Sequence, residues 1–419
     1  MAHIPDPDRF LRDLFACAVA RADPMLCVPD HLPPKPAGRV VVLGAGKASA
    51  RMAEAVEAAW GPCAGLVITR YGYGRPCQGI EIVEAAHPVP DAAGVAATRR
   101  MLALAESLSA DDTVVMLISG GGSALLCAPA GGITLGDKQA LGAAMLASGM
   151  PIGAMNSIRK ELSQVKGGRL AAAIYPAKLL CLMISDVPGD EPGDIASGPT
   201  VGYASDVAGA VATLAKWRVA VPPAIAAYLA AGGAPVAQDT CLSGVQNTII
   251  AAPSHSLAAA AKVARAAGVE VRILGDAIEG EARDLAGVQA AMALDLAAQG
   301  LDFPVLLLSG GECTVTRGAG TGVGGPNAEF ALAMAVALRG HPKIHAIACD
   351  TDGVDGGAEV AGAVVGPETL ARAGAKGLNA QDQLDAHNAH GFFAAIDAQV
   401  VSGPTLTNVN DFRAILVMP

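Results

Sequence analysis

The stretch Val40-Val41-Val42-Leu43-Gly44-Ala45-Gly46-Lys47-Ala48-Ser49 decides how the fold is read. Four consecutive apolar residues, three of them β-branched, favour a strand buried on both faces over an alternating surface strand. Two glycines then let the backbone turn sharply, and the Ala-rich segment that follows reads as a helix to about Trp60. This unit recurs. Residues 66–69 and 80–84 read as strands, and Asp91 caps a helix to about residue 107. Residues 114–118 and 179–184 are strands that run into Ser119-Gly120-Gly121-Gly122-Ser123 and Ser185-Asp186-Val187-Pro188-Gly189-Asp190. Ser157 opens a basic helix, and another follows Ala204 as far as Trp217, before the break at Pro222-Pro223. A second run follows, with strands at 248–251, 269–274, 305–308 and 344–348 and helices at 254–267 and 279–299. The alternation predicts the α/β class: two Rossmann-like α/β domains with mainly parallel sheets, residues 1–238 and 239–419. A short echo supports the pairing, because residues 116–121 and 306–311 both place Ser-Gly-Gly after an apolar run.

Composition narrows the function. The 419 residues carry 29 Lys and Arg against 39 Asp and Glu, a net charge of −10 with no long basic block to offset it. Aromatic residues are only 3%, too few for base-stacking platforms, so nucleic acid and anionic membrane are excluded as partners. Hydrophobic residues reach 52%, but the long uncharged windows at 113–136, 139–158 and 219–238 are broken by Gly or Pro and read as strand–loop–helix passages. The N-terminal Met1-Ala2-His3-Ile4-Pro5-Asp6 lacks a basic start and an apolar core, and nine scattered Cys form no C-x-x-C pair. The expected compartment is the cytoplasm.

The loops with chemical potential share an address beyond the C-terminal ends of the predicted strands, where open α/β sheets bind ligands. Gly44, Gly46 and Lys47 form an incomplete motif. A dinucleotide fingerprint needs Gly where Ser49 stands, and a P-loop needs Gly where Val41 stands. What remains is either a tight turn or an anion site with a full positive charge. Ser119, Gly120, Gly121, Gly122 and Ser123 suit a nest of amides for carboxylate or phosphate. Arg159 and Lys166, seven residues apart, are expected on one helical face as an anion clamp or as a solvated surface. Asp186, Asp190, Glu191 and Asp194, and again Asp350, Asp352 and Asp355, offer hard oxygen ligands for Mg²⁺ or plain turn chemistry. His341, His345, His387 and His390 lack metal spacing and read as core or surface residues.

Taken together, these loops resemble the glycerate 2-kinases that end in a MOFRL domain, some of which carry a hydroxypyruvate reductase label. The resemblance covers residue 8 to the end. It includes His87-Pro88-Val89-Pro90-Asp91, Lys166-Gly167-Gly168-Arg169, Ala196-Ser197-Gly198-Pro199-Thr200, Ser309–Glu312, Thr351-Asp352-Gly353-Val354-Asp355-Gly356 and Thr407-Asn408-Val409-Asn410-Asp411. It implies a two-domain enzyme with an interdomain cleft that moves a phosphoryl group from ATP, with Mg²⁺, to the 2-hydroxyl of D-glycerate. The implied partners are that acid and a nucleotide; the oligomeric state stays open, a homodimer being one option. Lys47, Glu312 and Asn408 match polar positions of the family site, as does Asp352. Asp190 is expected to orient the attacking hydroxyl, Asp186 and Asp352 to hold the metal, and Asn327 to contact substrate. Many relatives have Gly-Gly-Arg-Asn where this chain has Gly324-Gly325-Pro326-Asn327, so Arg159, Arg169 or Arg317 would have to supply that charge. Two other readings stay open: an NAD(P)H-dependent hydroxypyruvate reductase and a non-catalytic small-anion-binding protein.

Overall fold

The structure is a computed structural model that describes residues 4–233, 235–316 and 322–419. Arg317 lies outside the described residues. The chain divides into two compact units, Pro24–Ile250 and Met1–Asp23 with Ala251–Pro419.

In the first unit six strands form one sheet: β1 (Val40–Ala45), β2 (Ala64–Arg70), β3 (Ile80–Ala85), β4 (Thr113–Ile118), β5 (Lys178–Ile184) and β6 (Val245–Ala251). Their order is β3-β2-β1-β4-β5-β6, and the β1–β2, β2–β3, β1–β4 and β4–β5 pairs are parallel. Every residue of β1 is buried, as its unbroken apolar run requires. Helix Ser49–Trp60 packs on β1 and β2, and helix Ala92–Glu106, capped by the Asp91 carboxylate on the Gly94 amide, packs on β2 and β3. Between β4 and β6 the chain builds a separate helical layer. Leu135–Ala147, Ile152–Glu161, Val207–Lys216 and Pro223–Ala230 share a core of Leu141, Met145, Met155, Ile158, Leu214 and Ile225.

The second unit contains β7 (Glu270–Gly275), β8 (Gly280–Glu281), β9 (Val305–Gly311), β10 (Cys313–Thr314), β11 (Ile344–Asp350), β12 (Gly362–Val365), β13 (Gln399–Val400) and β14 (Asp411–Val417). Its main sheet runs β13-β12-β11-β14-β9-β7. Only β7–β9 is parallel there: β14 enters antiparallel between β9 and β11, and β12 and β13 continue antiparallel beyond β11. The α/β class expected from the sequence holds, but the strands of this second sheet are mostly antiparallel, which the alternation of apolar runs and helices did not anticipate.

Three expectations change. The boundary expected at 238/239 falls later, since β6 joins the first sheet instead of opening a second. The first residues belong with the second unit, where helix Pro7–Arg21 buries Leu11, Leu14, Phe15 and Ala18 in its core. Arg159 and Lys166 do not share a helical face. Helix Ile152–Glu161 ends before Lys166, and the chain turns through Gly167 and Gly168, both at positive φ, into helix Arg169–Ile174. Among the described residues no helix is long and apolar enough to cross a membrane.

Candidate active site

The strand order of the first sheet reverses between β1 and β4, and the loops after these two strands are locked together. The Lys47 amide donates to Gly120 O at 2.8 Å, and the Ala48 amide to Ser119 Oγ at 3.0 Å. Ser49 Oγ bonds Leu117 O at 3.0 Å and lies 3.1 Å from Ser119 Oγ. A switch point is where an open α/β sheet leaves a crevice for ligand. The glycines are needed for this fit: a Cβ on Gly46, at φ +147°, would lie 2.1 Å from Ser119 Oγ, and one on Gly44 2.7 Å from Leu117 O. Ser119, Gly120 and Gly122 are buried, and Ser123 Oγ lies 2.9 Å from Ser197 Oγ. The amides of Gly120 and Gly121 donate to no acceptor among the described residues. Two adjacent free amides beside a lysine form a cradle for an anion. Ser119 and Ser123 thus shape the loop through their hydroxyls.

His87, which the sequence did not single out as a site residue, belongs to this corner. A Cβ on Gly121 would stand 3.0 Å from the His87 ring and 3.2 Å from Lys47 Cγ, so both side chains converge on that glycine. The signal was present in the His87-Pro88-Val89-Pro90-Asp91 motif, but a lone His after a strand carries no ligand spacing.

Lys166 is fully buried, and its ammonium donates to Ser123 O at 2.7 Å and Leu126 O at 3.4 Å, directly behind the glycine loop. Burial, then the Lys138, Arg159 and Lys160 charges, push its pKa well below the usual lysine range. Burial likewise lowers Arg159, whose Nη1 donates to Asn156 Oδ1 at 3.1 Å. Arg159 and Lys166 are therefore brought together by chain reversal. Arg169 is committed elsewhere, to Lys160 O, Lys166 O and Pro235 O.

After β5, Asp186 is half-buried and Asp190 is held at φ +54° with its Oδ1 buried and without a hydrogen-bond partner. An orphaned carboxylate oxygen in a loop that carries a second carboxylate fits Mg²⁺, which takes one or two protein carboxylates and fills its shell with substrate oxygens and water. Among the described residues no three His, Cys, Asp or Glu side chains gather as a closed metal cage. Asp194 is paired with Lys160 at 3.2 Å.

On the second unit, the ends of β9 and β11 and the start of β14 meet at one sheet edge, where Asp411 pairs with Gly311 and Asp350. Glu312 is exposed there, and Asp352 and Asn408 are buried. Asp352 Oδ1 accepts the Val354 amide at 2.8 Å, and Asn408 Oδ1 accepts the Asn410 amide at 3.1 Å, so each shapes its own turn. Asn327 is buried inside a network. Its Nδ2 donates to Asp411 Oδ1 at 2.6 Å and its backbone amide to Asp355 Oδ1 at 2.9 Å. Burial raises the Asp411 pKa even though Arg413 lies 3.1 Å away. Pro326 stands at the first turn of helix Pro326–Leu338, where a missing amide costs nothing. His387 and His390 are core residues, His387 Nδ1 3.0 Å from Glu329 and His390 Nε2 3.1 Å from Asp355.

Residues 10–230 match a family described as a domain of unknown function (DUF4147), and residues 305–411 match the MOFRL family. A glycerate 2-kinase of Pyrococcus horikoshii is 36% identical, covering 91% of this chain and 88% of its own length. The crystal structure of a glycerate kinase from Thermotoga maritima superposes with a TM-score of 0.88 at 33% identity, covering 98% of this chain and 99% of that one. The chain belongs to the glycerate 2-kinase family. Another family relative, from Agrobacterium vitis, is 50% identical over 97% of this chain and 94% of its own length and is named "Putative hydroxypyruvate reductase". Identity is thus higher to a protein with a reductase name than to those named kinases, and the chemistry of the β1–β4 corner has to decide between the names.

Proposed function

We propose that this family member transfers the terminal phosphoryl group of ATP to the 2-hydroxyl of D-glycerate, giving ADP and 2-phosphoglycerate. The observation that carries this reading is the corner between β1 and β4, where Lys47 stands beside the amides of Gly120 and Gly121, which have no acceptor among the described residues. Phosphoryl transfer asks a protein mainly for positioning and for charge facing the transferring group. Lys47 supplies that charge on a backbone fixed by its bond to Gly120, and the loop amides receive phosphate oxygens. The acceptor hydroxyl attacks the γ-phosphorus, the bond to the bridging oxygen of ADP breaks, and the hydroxyl proton passes to Asp190. Asp186 and the orphaned Oδ1 of Asp190 would hold Mg²⁺, which supplies electrostatic neutralisation of phosphate oxygens. The roles of Glu312 and Asn408 as polar contacts and of Asp352 as a metal carboxylate belong to the same proposal.

The reductase reading rests on the name of the 50% identical relative. Two features speak against it. Ser49, where the dinucleotide fingerprint needs its third glycine, is fully buried and bonded to β4. The end of β2 presents Arg70 and not the acidic residue that binds a ribose hydroxyl. One pair of assays separates the readings: ADP formation from ATP and D-glycerate, and NAD(P)H oxidation with hydroxypyruvate. ADP formation that EDTA abolishes and Mg²⁺ restores is the expected result. Reductase turnover without kinase turnover would overturn the proposal, and neither activity would favour an anion-binding protein.

A further inference from the structure

Lys138 lies on helix Leu135–Ala147, whose first turn is fixed by a Thr134–Asp137 capping box. The next residue, Gln139, donates from Nε2 to Pro90 O at 2.8 Å, which ties this helix to the loop that carries His87. On the other side, Ala130 bonds Leu162 O at 3.1 Å and Gln164 bonds Ala128 O at 3.0 Å. These bonds draw the strap before the Lys138 helix against the turn that carries Lys166. Lys138, Arg159 and Lys166 are electrostatic neighbours as a result.

The cluster is unbalanced. Lys138 makes no hydrogen bond and no ion pair among the described residues, and neither Arg159 nor Lys166 has a carboxylate partner. Among the described residues, the titratable groups that act on Lys166 are Lys138, Arg159, Lys160 and the Cys127 thiol. Lys160 alone has its own counter-charge, Asp194. The Lys138 ammonium is desolvated, which lowers its pKa, although the residue as a whole is half-buried. Unpaired cations held out of water are costly, and a fold retains them where an anion is to be received.

We propose that Lys138, Arg159 and Lys166 form the subsite for the carboxylate of the hydroxy-acid acceptor, with Lys138 as its specificity-determining member. This rests on the kinase reading above for the identity of the acid. The division of labour follows from the donors. The glycine loop offers backbone amides and Lys47, which suits a phosphate chain. The cluster offers a guanidinium with free N–H groups and the half-buried Lys138 side chain with no partner of its own among the described residues, beside a Lys166 nitrogen that already donates to two carbonyls, which suits a small planar anion held from two sides.

The test compares Lys138→Met and Lys138→Arg with the unaltered protein. Lys138→Met is expected to raise KM for D-glycerate about tenfold or more while KM for ATP and kcat stay within about twofold. By calorimetry without nucleotide, D-glycerate should bind the Met variant correspondingly more weakly. Lys138→Arg should recover most of that affinity. Without ligand, Lys138→Met should melt at or above the unaltered protein, since a repelling charge is gone, and D-glycerate should stabilise it less. Unchanged affinity for D-glycerate would overturn the subsite, and a rise confined to KM for ATP would overturn its assignment to the carboxylate. A lower melting temperature with no recovery in Lys138→Arg would reduce Lys138 to a structural role and also overturn it. Failure of the kinase reading looks different: Lys138-dependent binding of D-glycerate without ADP formation would leave the subsite standing.

Discussion

Lys47 shows how a single charge becomes useful. Its backbone is pinned to Gly120 O and its side chain runs beside Gly121, so little entropy remains to be lost when a phosphate arrives. A charge positioned for the transferring phosphoryl group acts more strongly in the transition state than on either substrate, and such interactions appear in kcat. Lys47→Met is therefore expected to lower kcat by about two orders of magnitude or more, with the melting temperature little changed. Lys47→Arg should rescue poorly, because a planar fork does not replace a compact ammonium in a tight glycine loop. Steady-state kinetics with calorimetric melting checks both; a kcat within about twofold of normal would make this loop an ordinary turn. Lys166 gives the complementary case, a cation whose folded pKa is depressed by burial and by its cationic neighbours. Between that depressed value and the ordinary 10.5, the unfolded chain binds more protons than the folded one, so stability rises with pH across this window. Urea unfolding at rising alkaline pH should show that slope, and Lys166→Met should flatten it.

Most of the first sheet was legible because its strands are short apolar runs that end in glycine or serine turns. The loops that carry Lys47, Ser119 and Asp190 fell where such strands end, and these positions followed from pattern alone. Pattern failed where pairing partners are distant in sequence. β14 looks no different from a parallel strand, and only its register against β9 and β11 shows that it runs the other way. The echo between the two Ser-Gly-Gly segments failed for a related reason: Ser309, Gly310 and Gly311 stay within β9, paired with β14, whereas Ser119 and its glycines leave the sheet. Helix Pro326–Leu338 is the clearest case of tertiary capping. No residue of its own supplies a side-chain cap, and Asp355 instead takes the Asn327 amide at 2.9 Å and the Ala328 amide at 2.8 Å. Gly325 is required beside it, since a Cβ there would lie 2.4 Å from Asp355 Cγ. Asp355→Ala would strand two buried amides and His390, at a cost of roughly 3–5 kcal/mol. Urea unfolding checks this, and a loss under about 1 kcal/mol would mean that the helix end finds other acceptors.

At the scale of the whole chain, the first unit is an insertion into the second. Residues 24–250 form a continuous stretch with its own sheet, while the second unit is completed by residues from both ends of the sequence. Helix Pro7–Arg21 has reasons to sit there: Asp6 and Pro7 start it, and Leu11, Leu14, Phe15 and Ala18 give it one apolar face. That face enters the core beside Phe412, with the Phe15 and Phe412 rings 5.9 Å apart. Ser256 Oγ donates to Ala18 O and Thr407 Oγ1 to Ala22 O, each at 2.7 Å, which fixes the end of the helix to the later part of the chain. Leu14 is completely buried, and truncating such a leucine to Ala costs about 2–5 kcal/mol. Because the loss falls on one unit, Leu14→Ala should be a local lesion. Hydrogen exchange on the full chain should speed up in β9, β11 and β14 while β1 and β4 keep their protection. A division at residue 238 would give the opposite pattern, with the lesion spreading through β1–β5, so the same measurement decides which sheet the first helix supports.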